Sequence, residues 1–219
     1  MSRLYFRLAL PLTVAVMFAM VPATVANTIT PGTTTTNLTA NAGDNPTGSA
    51  LASISGTFAG AITGNPNGTY TAGVFLNSKG FLDFVYNFSN TGTHDVVDSV
   101  TAANFSGFTT DVFASGIGNT PVAAQSSGAV IKFFFSFAGL SNNDVGAGQS
   151  SDTLVIATNA TAFANGVFTL QDGDTSSVRA FQPVVPEPSS MLLFGTGLSF
   201  FAAALRRPMR KQLRFYGKS

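Results

Sequence analysis

Residues 81–88 read Phe-Leu-Asp-Phe-Val-Tyr-Asn-Phe, and residues 131–137 read Ile-Lys-Phe-Phe-Phe-Ser-Phe. In both stretches an apolar side chain occupies every second position, and polar residues such as Asp83 and Lys132 lie between them. A period of two is typical of a strand that is buried on one face. The faces predicted to be buried are Leu82, Phe84, Tyr86 and Phe88 in the first stretch, and Ile131, Phe133, Phe135 and Phe137 in the second.

Seven further runs have the composition of strands, and clusters of Gly, Asn, Ser and Thr separate them. They are residues 50–61, 68–76, 94–105, 109–113, 153–158, 166–170 and 177–181. No helical stripe of useful length is found among them, and Asn77–Gly80 is predicted to be a hairpin loop. We therefore predict that residues 49–184 form a single all-β domain, a β-sandwich with a jelly-roll-like arrangement, after a Thr-, Asn- and Gly-rich lead-in at residues 27–48.

Charge is distributed in blocks along the 219 residues, whose net charge is +1. Residues 27–184 carry nine Asp against three cationic side chains, which is −6, whereas residues 206–219 carry six positive charges and no acid. The acidic body argues against nucleic acid as a partner. The absence of Cys excludes a disulfide scaffold and a thiol nucleophile, and the single His leaves at most one Ser-His-Asp arrangement.

The N-terminus has the layout of a secretory signal peptide. Arg3 and Arg7 precede an apolar run at residues 8–21, and small residues follow up to Ala26. This order predicts a signal peptide at residues 1–26 that signal peptidase removes by cleavage after Ala26. Cleavage three residues earlier and an uncleaved anchor helix are the alternatives.

The C-terminus combines an extended motif, an apolar segment and a basic cluster. Residues 185–190 read Val-Pro-Glu-Pro-Ser-Ser, and fifteen residues without charge follow. The two prolines favour an extended, exposed strip. Counted from Pro188, eighteen residues would span about 27 Å as a helix, against a hydrocarbon core of roughly 30 Å. We predict a transmembrane helix at residues 189–205, stopped by a cluster of Arg206, Arg207, Arg210 and Lys211; the alternative is a buried core helix.

This order of motif, apolar segment and basic cluster resembles the PEP-CTERM sorting signal over residues 185–211. The resemblance implies that Pro186, Glu187 and Pro188 are the recognition motif of an exosortase-type membrane protease in a Gram-negative bacterium. It implies a precursor anchored in the inner membrane with a periplasmic body, which reaches the cell surface or the extracellular matrix after processing. Residues 212–219 extend beyond the end that is usual for this signal.

Three places in the body carry oxygen-rich or ionisable groups. They are His94-Asp95 with Asp98, Asn142-Asn143-Asp144, and Asp172-Gly173-Asp174. None has the companions of a known catalytic arrangement or the spacing of a calcium loop, so turn or surface roles are favoured. We expect no catalytic residue, no metal and no cofactor.

The leading functional hypothesis is a non-enzymatic surface or extracellular-matrix protein. The resemblance to the sorting signal further implies an association with exopolysaccharide or biofilm. A glycan-binding or glycan-active β-sandwich protein with the same tail is one alternative. A permanently membrane-anchored periplasmic protein is the other.

Overall fold

The computed structural model of the protein describes residues 28–39, 46, 48–60, 67–93 and 95–185. Within these residues there are eleven β-strands and no helix, so none that could span a membrane. The strands are β1 Thr34–Thr35, β2 Ala52–Ala59, β3 Asn67–Leu76, β4 Leu82–Asn90, β5 Ser99–Ala103, β6 Thr110–Ser115, β7 Ala123–Ser126, β8 Val130–Phe134, β9 Thr153–Thr158, β10 Ala162–Asp172 and β11 Asp174–Val184. The predicted signal peptide and the predicted transmembrane helix lie outside the described residues.

The strands form two sheets in which every pairing is antiparallel. One sheet has the order β1-β7-β8-β5-β10-β11, and the other has the order β2-β3-β4-β9-β6. The all-β prediction is thus confirmed, whereas β1 and β7 were not predicted. Strands β2, β3 and β4 form a meander of consecutive strands in the five-stranded sheet. The jelly-roll-like arrangement stays a prediction.

Aromatic contacts join the two sheets. Tyr86 of β4 stacks on Phe168 of β10, with ring centroids 4.7 Å apart. Phe84 and Phe88, on the same face of β4, each make an edge contact with a Phe that follows a strand of the six-stranded sheet. The apolar faces predicted for residues 82–88 and for Ile131, Phe133 and Phe135 are accordingly buried. The core therefore lies between the sheets.

Two side chains depart from the predicted alternation. Strand β8 ends at Phe134, so Phe137 lies beyond it and packs edge-on against Phe134 at 4.8 Å, outside the predicted face. Asp83 is fully buried although its face of β4 was predicted to be solvated. Its carboxylate accepts a hydrogen bond of 2.9 Å from Asn77 Nδ2, because the loop after β3 folds over the start of β4.

Candidate functional site

The last strand of the body ends where the predicted sorting motif begins. Strand β11 is an edge strand, and it pairs with β10 along its whole length, from Asp172 opposite Asp174 to Ala162 opposite Val184. The next residue, Val185, is 61% exposed. Pro186, Glu187 and Pro188 follow, but they lie outside the described residues. No linker therefore separates the folded body from the motif.

Side chains from three other segments hold the end of β11. The Tyr86 hydroxyl donates a hydrogen bond of 3.0 Å to the Phe181 carbonyl oxygen. The Phe181 ring packs edge-on against the Phe163 ring, with ring centroids 5.7 Å apart. The side-chain amide of Asn104 donates a hydrogen bond to Gln182 Oε1. Burial raises the pKa of Tyr86 far above its usual value, so its hydroxyl stays a neutral donor. The strand is thus fixed to within a few residues of the motif.

A proline lies near the end of this edge strand. Pro183 is paired opposite Phe163 and has no backbone N–H to donate. Proline is tolerated in a sheet chiefly on an edge, where it also disfavours the addition of a further strand. The end of β11 is therefore shaped against pairing with a strand of another chain.

The opposite end of the sheets gathers carboxylates that are far apart in the sequence. Val97 and Val145 exchange backbone hydrogen bonds of 3.0 and 3.1 Å, which brings Asp98 near Asp144. The Asp98 N–H donates to the carbonyl oxygen of Gln171, the residue before Asp172. We call this region, with Asp95, Asp98, Asp144, Asp172 and Asp174, the acidic end.

Crowding at the acidic end changes the titration of two carboxyl groups. The pKa of Asp172 is raised by desolvation first and then by the negative charges of Asp98, Asp95 and Asp144. The pKa of Asp144 is raised by desolvation and by Asp98, against a hydrogen bond from Asn142 that lowers it. Within the described residues no group of three or more acidic or His side chains is arranged to hold a metal ion.

Two of the three oxygen-rich segments form turns, as predicted. Gly173, at φ +62°, makes the tight turn between β10 and β11. The Asn142 side-chain oxygen accepts a hydrogen bond of 3.0 Å from the Asp144 N–H. His94 lies outside the described residues, so its role stays a prediction. What the sequence did not reveal is that carboxylates from all three segments meet at the acidic end.

Asp152, which no sequence pattern singled out, is 4% exposed. Its carboxylate accepts hydrogen bonds from the Gly118 N–H at 2.7 Å and from the Thr120 hydroxyl at 2.5 Å. These bonds fix a loop on which Ile117 is completely exposed. Beside the loop is an open cleft of about 520 Å³ with mostly polar residues in its wall, among them Asn87, Asn119, Gln149, Ser150 and Asp152. No sequence pattern marks this cleft, because its residues come from three separate segments.

A family model described as the PEP-CTERM protein-sorting motif matches residues 184–207. No curated protein and no solved structure matches the chain. The resemblance of the C-terminus to the PEP-CTERM sorting signal is thereby confirmed. The match begins on Val184, the last residue of β11. Pro186, Glu187, Pro188, Arg206 and Arg207 lie inside the match, whereas Ala26, Arg210 and Lys211 do not. All eight residues lie outside the described part of the chain, and their individual roles stay predictions.

Proposed function

Because the chain carries the sorting motif of an exported protein that is processed at the membrane by exosortase, we propose that it is a non-enzymatic surface or extracellular-matrix protein. Residues 189–205 anchor the precursor in the inner membrane, and the body faces the periplasm. Exosortase then cleaves in or near Pro186–Pro188 and releases the body. The observation that carries this proposal is the match at residues 184–207, directly after strand β11.

The features of the body are consistent with export and release. Signal peptidase cleavage after Ala26 and exosortase cleavage near Glu187 would remove eight of the eleven cationic side chains. The product keeps nine Asp against Lys79, Lys132 and Arg179, and is therefore an acidic domain. Such a net charge favours solubility after release. The aromatic contacts between the two sheets support a β-sandwich as its fold.

A structural role outside the cell is supported by the residue types that the chain offers. It has no Cys, one His and one Glu, and that Glu lies in the sorting motif. An association with exopolysaccharide rests on the family resemblance alone.

The test is intact-mass analysis of the mature protein from its own host. The expected chain begins after Ala26 and ends between Pro186 and Ser190. Glu187→Ala should accumulate as a membrane-bound precursor that keeps residues 191–219, because exosortase would lose its carboxylate handle. Asp174→Ala, an acid of the body 13 residues earlier, is the matched control and should be processed normally. A released wild-type chain that still carries residues 191–219 would contradict the proposal, and full-length wild type in the membrane alone would favour a permanent anchor.

The cleft beside Ile117 favours glycan binding as a second candidate function. Its amide, hydroxyl and carboxylate groups are of the kind that hydrogen-bond to sugar hydroxyls. However, the exposed large apolar side chains of the described body are all aliphatic, which offers no stacking platform there. Titration with host exopolysaccharide fragments should perturb the amide resonances of Asn119 and Gln149 if this function is correct. Resonances that stay unchanged at saturating fragment would exclude the cleft.

A further inference from the structure

We infer that the end of the body from which the tail leaves rests on the bilayer surface in the precursor, with the acidic end pointing away. This inference rests on the proposed membrane anchoring of the tail. The contact surface, here called the tail end, consists of Leu51, Leu76, Lys79 and Val185. Its partner is the lipid bilayer into which the tail inserts.

The register of the strands brings these residues to one end. The Ala59 N–H donates to Ser176 Oγ at 3.2 Å, so β2 and β11, edge strands of different sheets, lie side by side. Five residues further along β11, Phe181 accepts the hydrogen bond from Tyr86, which is level with Ile54 across β3. Strands β2 and β11 therefore run in opposite directions, and the end of β11 lies beside the start of β2.

The start of β2 and the end of β3 thus share an end with Val185. The Leu51 N–H donates to the Val74 carbonyl oxygen at 2.7 Å, and Leu76 lies two residues beyond Val74. Lys79 is in the loop that follows β3. The N-terminal part of the body reaches the same end, because Thr28 forms a bridge with Asp111 near the start of β6. Both chain termini of the body consequently emerge at the tail end.

The chain beyond Val185 leaves little freedom to hold the body away from the membrane. Only five residues, 186–190, separate Val185 from the apolar segment that begins at Met191. Six residue steps reach about 20 Å at full extension, which is less than the length of an 11-residue strand such as β11, about 36 Å. If the opposite end of β11 lay on the bilayer, Val185 would be held about 36 Å away from it, beyond the reach of this tether.

The tail end has the chemistry that an interface of this kind requires. Leu51 is 54% exposed, Leu76 is 45% exposed and Val185 is 61% exposed. Exposed apolar area together with attraction between cations and anionic lipids determines the strength of interfacial binding. Lys79 lies at this end together with Asp83 and Asp111, which are level with each other across Ala157 of β9. The contribution of the tail end to binding is therefore its exposed apolar side chains.

The charges of the body oppose the reverse orientation. Five Asp lie at the acidic end, which is at the opposite end of the strands from Val185. A leaflet with anionic lipids repels carboxylates that come within a Debye length of about 8 Å. The same field favours the orientation in which the acidic end, with five Asp, is remote from the lipid and the tail end, with Lys79, Asp83 and Asp111, is near it. This orientation also holds Pro186–Pro188 at the membrane surface, where a membrane protease can reach the motif.

The absence of native Cys allows the orientation to be measured with single labels. Leu51→Cys and Leu76→Cys place a fluorescent label at the tail end, in the full-length chain. Ile117→Cys and Val167→Cys are matched controls, because they replace exposed aliphatic residues elsewhere on the body. The chain is inserted into vesicles of phosphatidylcholine with a minor share of phosphatidylglycerol and a lipid that carries a nitroxide near its headgroup. We expect loss of fluorescence at positions 51 and 76, and little loss at positions 117 and 167.

Each alternative outcome has its own signature. Equal loss at all four positions, or loss at position 117 alone, would overturn the inferred orientation. If positions 51 and 76 are shielded from water but not affected by the nitroxide lipid, they face a second copy of the chain, and the inference is wrong. Flotation with the vesicles tests the tail separately: a chain that does not float refutes the proposed anchoring, whereas a floating chain without selective loss refutes only the orientation.

Discussion

Replacement of Tyr86 by Phe tests whether one hydroxyl holds the last strand of the body in place. The substitution removes the hydrogen bond from the hydroxyl to the Phe181 carbonyl oxygen, and it keeps the ring that stacks on Phe168. A buried hydrogen bond contributes about 1 kcal/mol net, and a carbonyl that loses a partner adds to the cost. We expect the free energy of unfolding to fall by about 1–2 kcal/mol.

Urea unfolding of the mature protein, followed by circular dichroism, measures this loss. With a denaturant slope of about 2 kcal/mol/M, the midpoint should fall by about 0.5–1 M urea. Tyr70→Phe is the matched control, because Tyr70 is 6% exposed and its hydroxyl makes no hydrogen bond within the described residues. The control should lower the midpoint less.

Alkaline pH provides a second measurement of the same group. The pKa of Tyr86 is raised in the folded state by burial, so above pH ~10 the unfolded chain releases this proton and the folded chain keeps it. The stability contribution of Tyr86 is therefore complete below pH ~10 and declines above it by about 1.4 kcal/mol per pH unit. Tyr86→Phe should lack this part of the decline. A midpoint equal to that of Tyr70→Phe, or an unchanged alkaline decline, would refute the role assigned to the hydroxyl.

Two further substitutions probe the acidic end and the packing of the five-stranded sheet. The pKa of Asp172 is raised by desolvation and by Asp98, so its stability contribution is present at acid pH and is lost as pH rises through the folded-state pKa. Asp172→Asn should therefore raise the urea midpoint at pH 7 and weaken the decline of stability from acid to neutral pH; a lower midpoint at pH 7 would contradict this. Gly68→Ala would place a Cβ 1.8 Å from the Ser89 carbonyl oxygen, and overpacking of this kind costs about 1–3 kcal/mol. Thermal unfolding should show a lower midpoint for Gly68→Ala than for its exposed neighbour Thr69→Ala, and equal midpoints would refute the clash.

Local sequence pattern was sufficient for most strands because alternation reports which face is buried, and not which strand is the neighbour. The pattern at residues 82–88 predicted β4 and its buried face. No pattern predicted β7, whose four residues Ala-Ala-Gln-Ser have no alternation. None predicted β1, whose two residues are both Thr. β1 is a strand because it pairs with β7, which is distant in the sequence, and β7 is a strand because it lies between β1 and β8 in the sheet.

The sequence by itself determined the sorting signal, since a linear motif at a chain end is read by its order of residues. It also determined the all-β class, through alternation and turn residues. Only the tertiary structure decided that β11 ends at the motif beside the start of β2, and that Asp98, Asp144 and Asp172 meet at the opposite end. The physical reason is that strand pairing and sheet packing join residues dozens of positions apart, and no local periodicity encodes which partners are chosen.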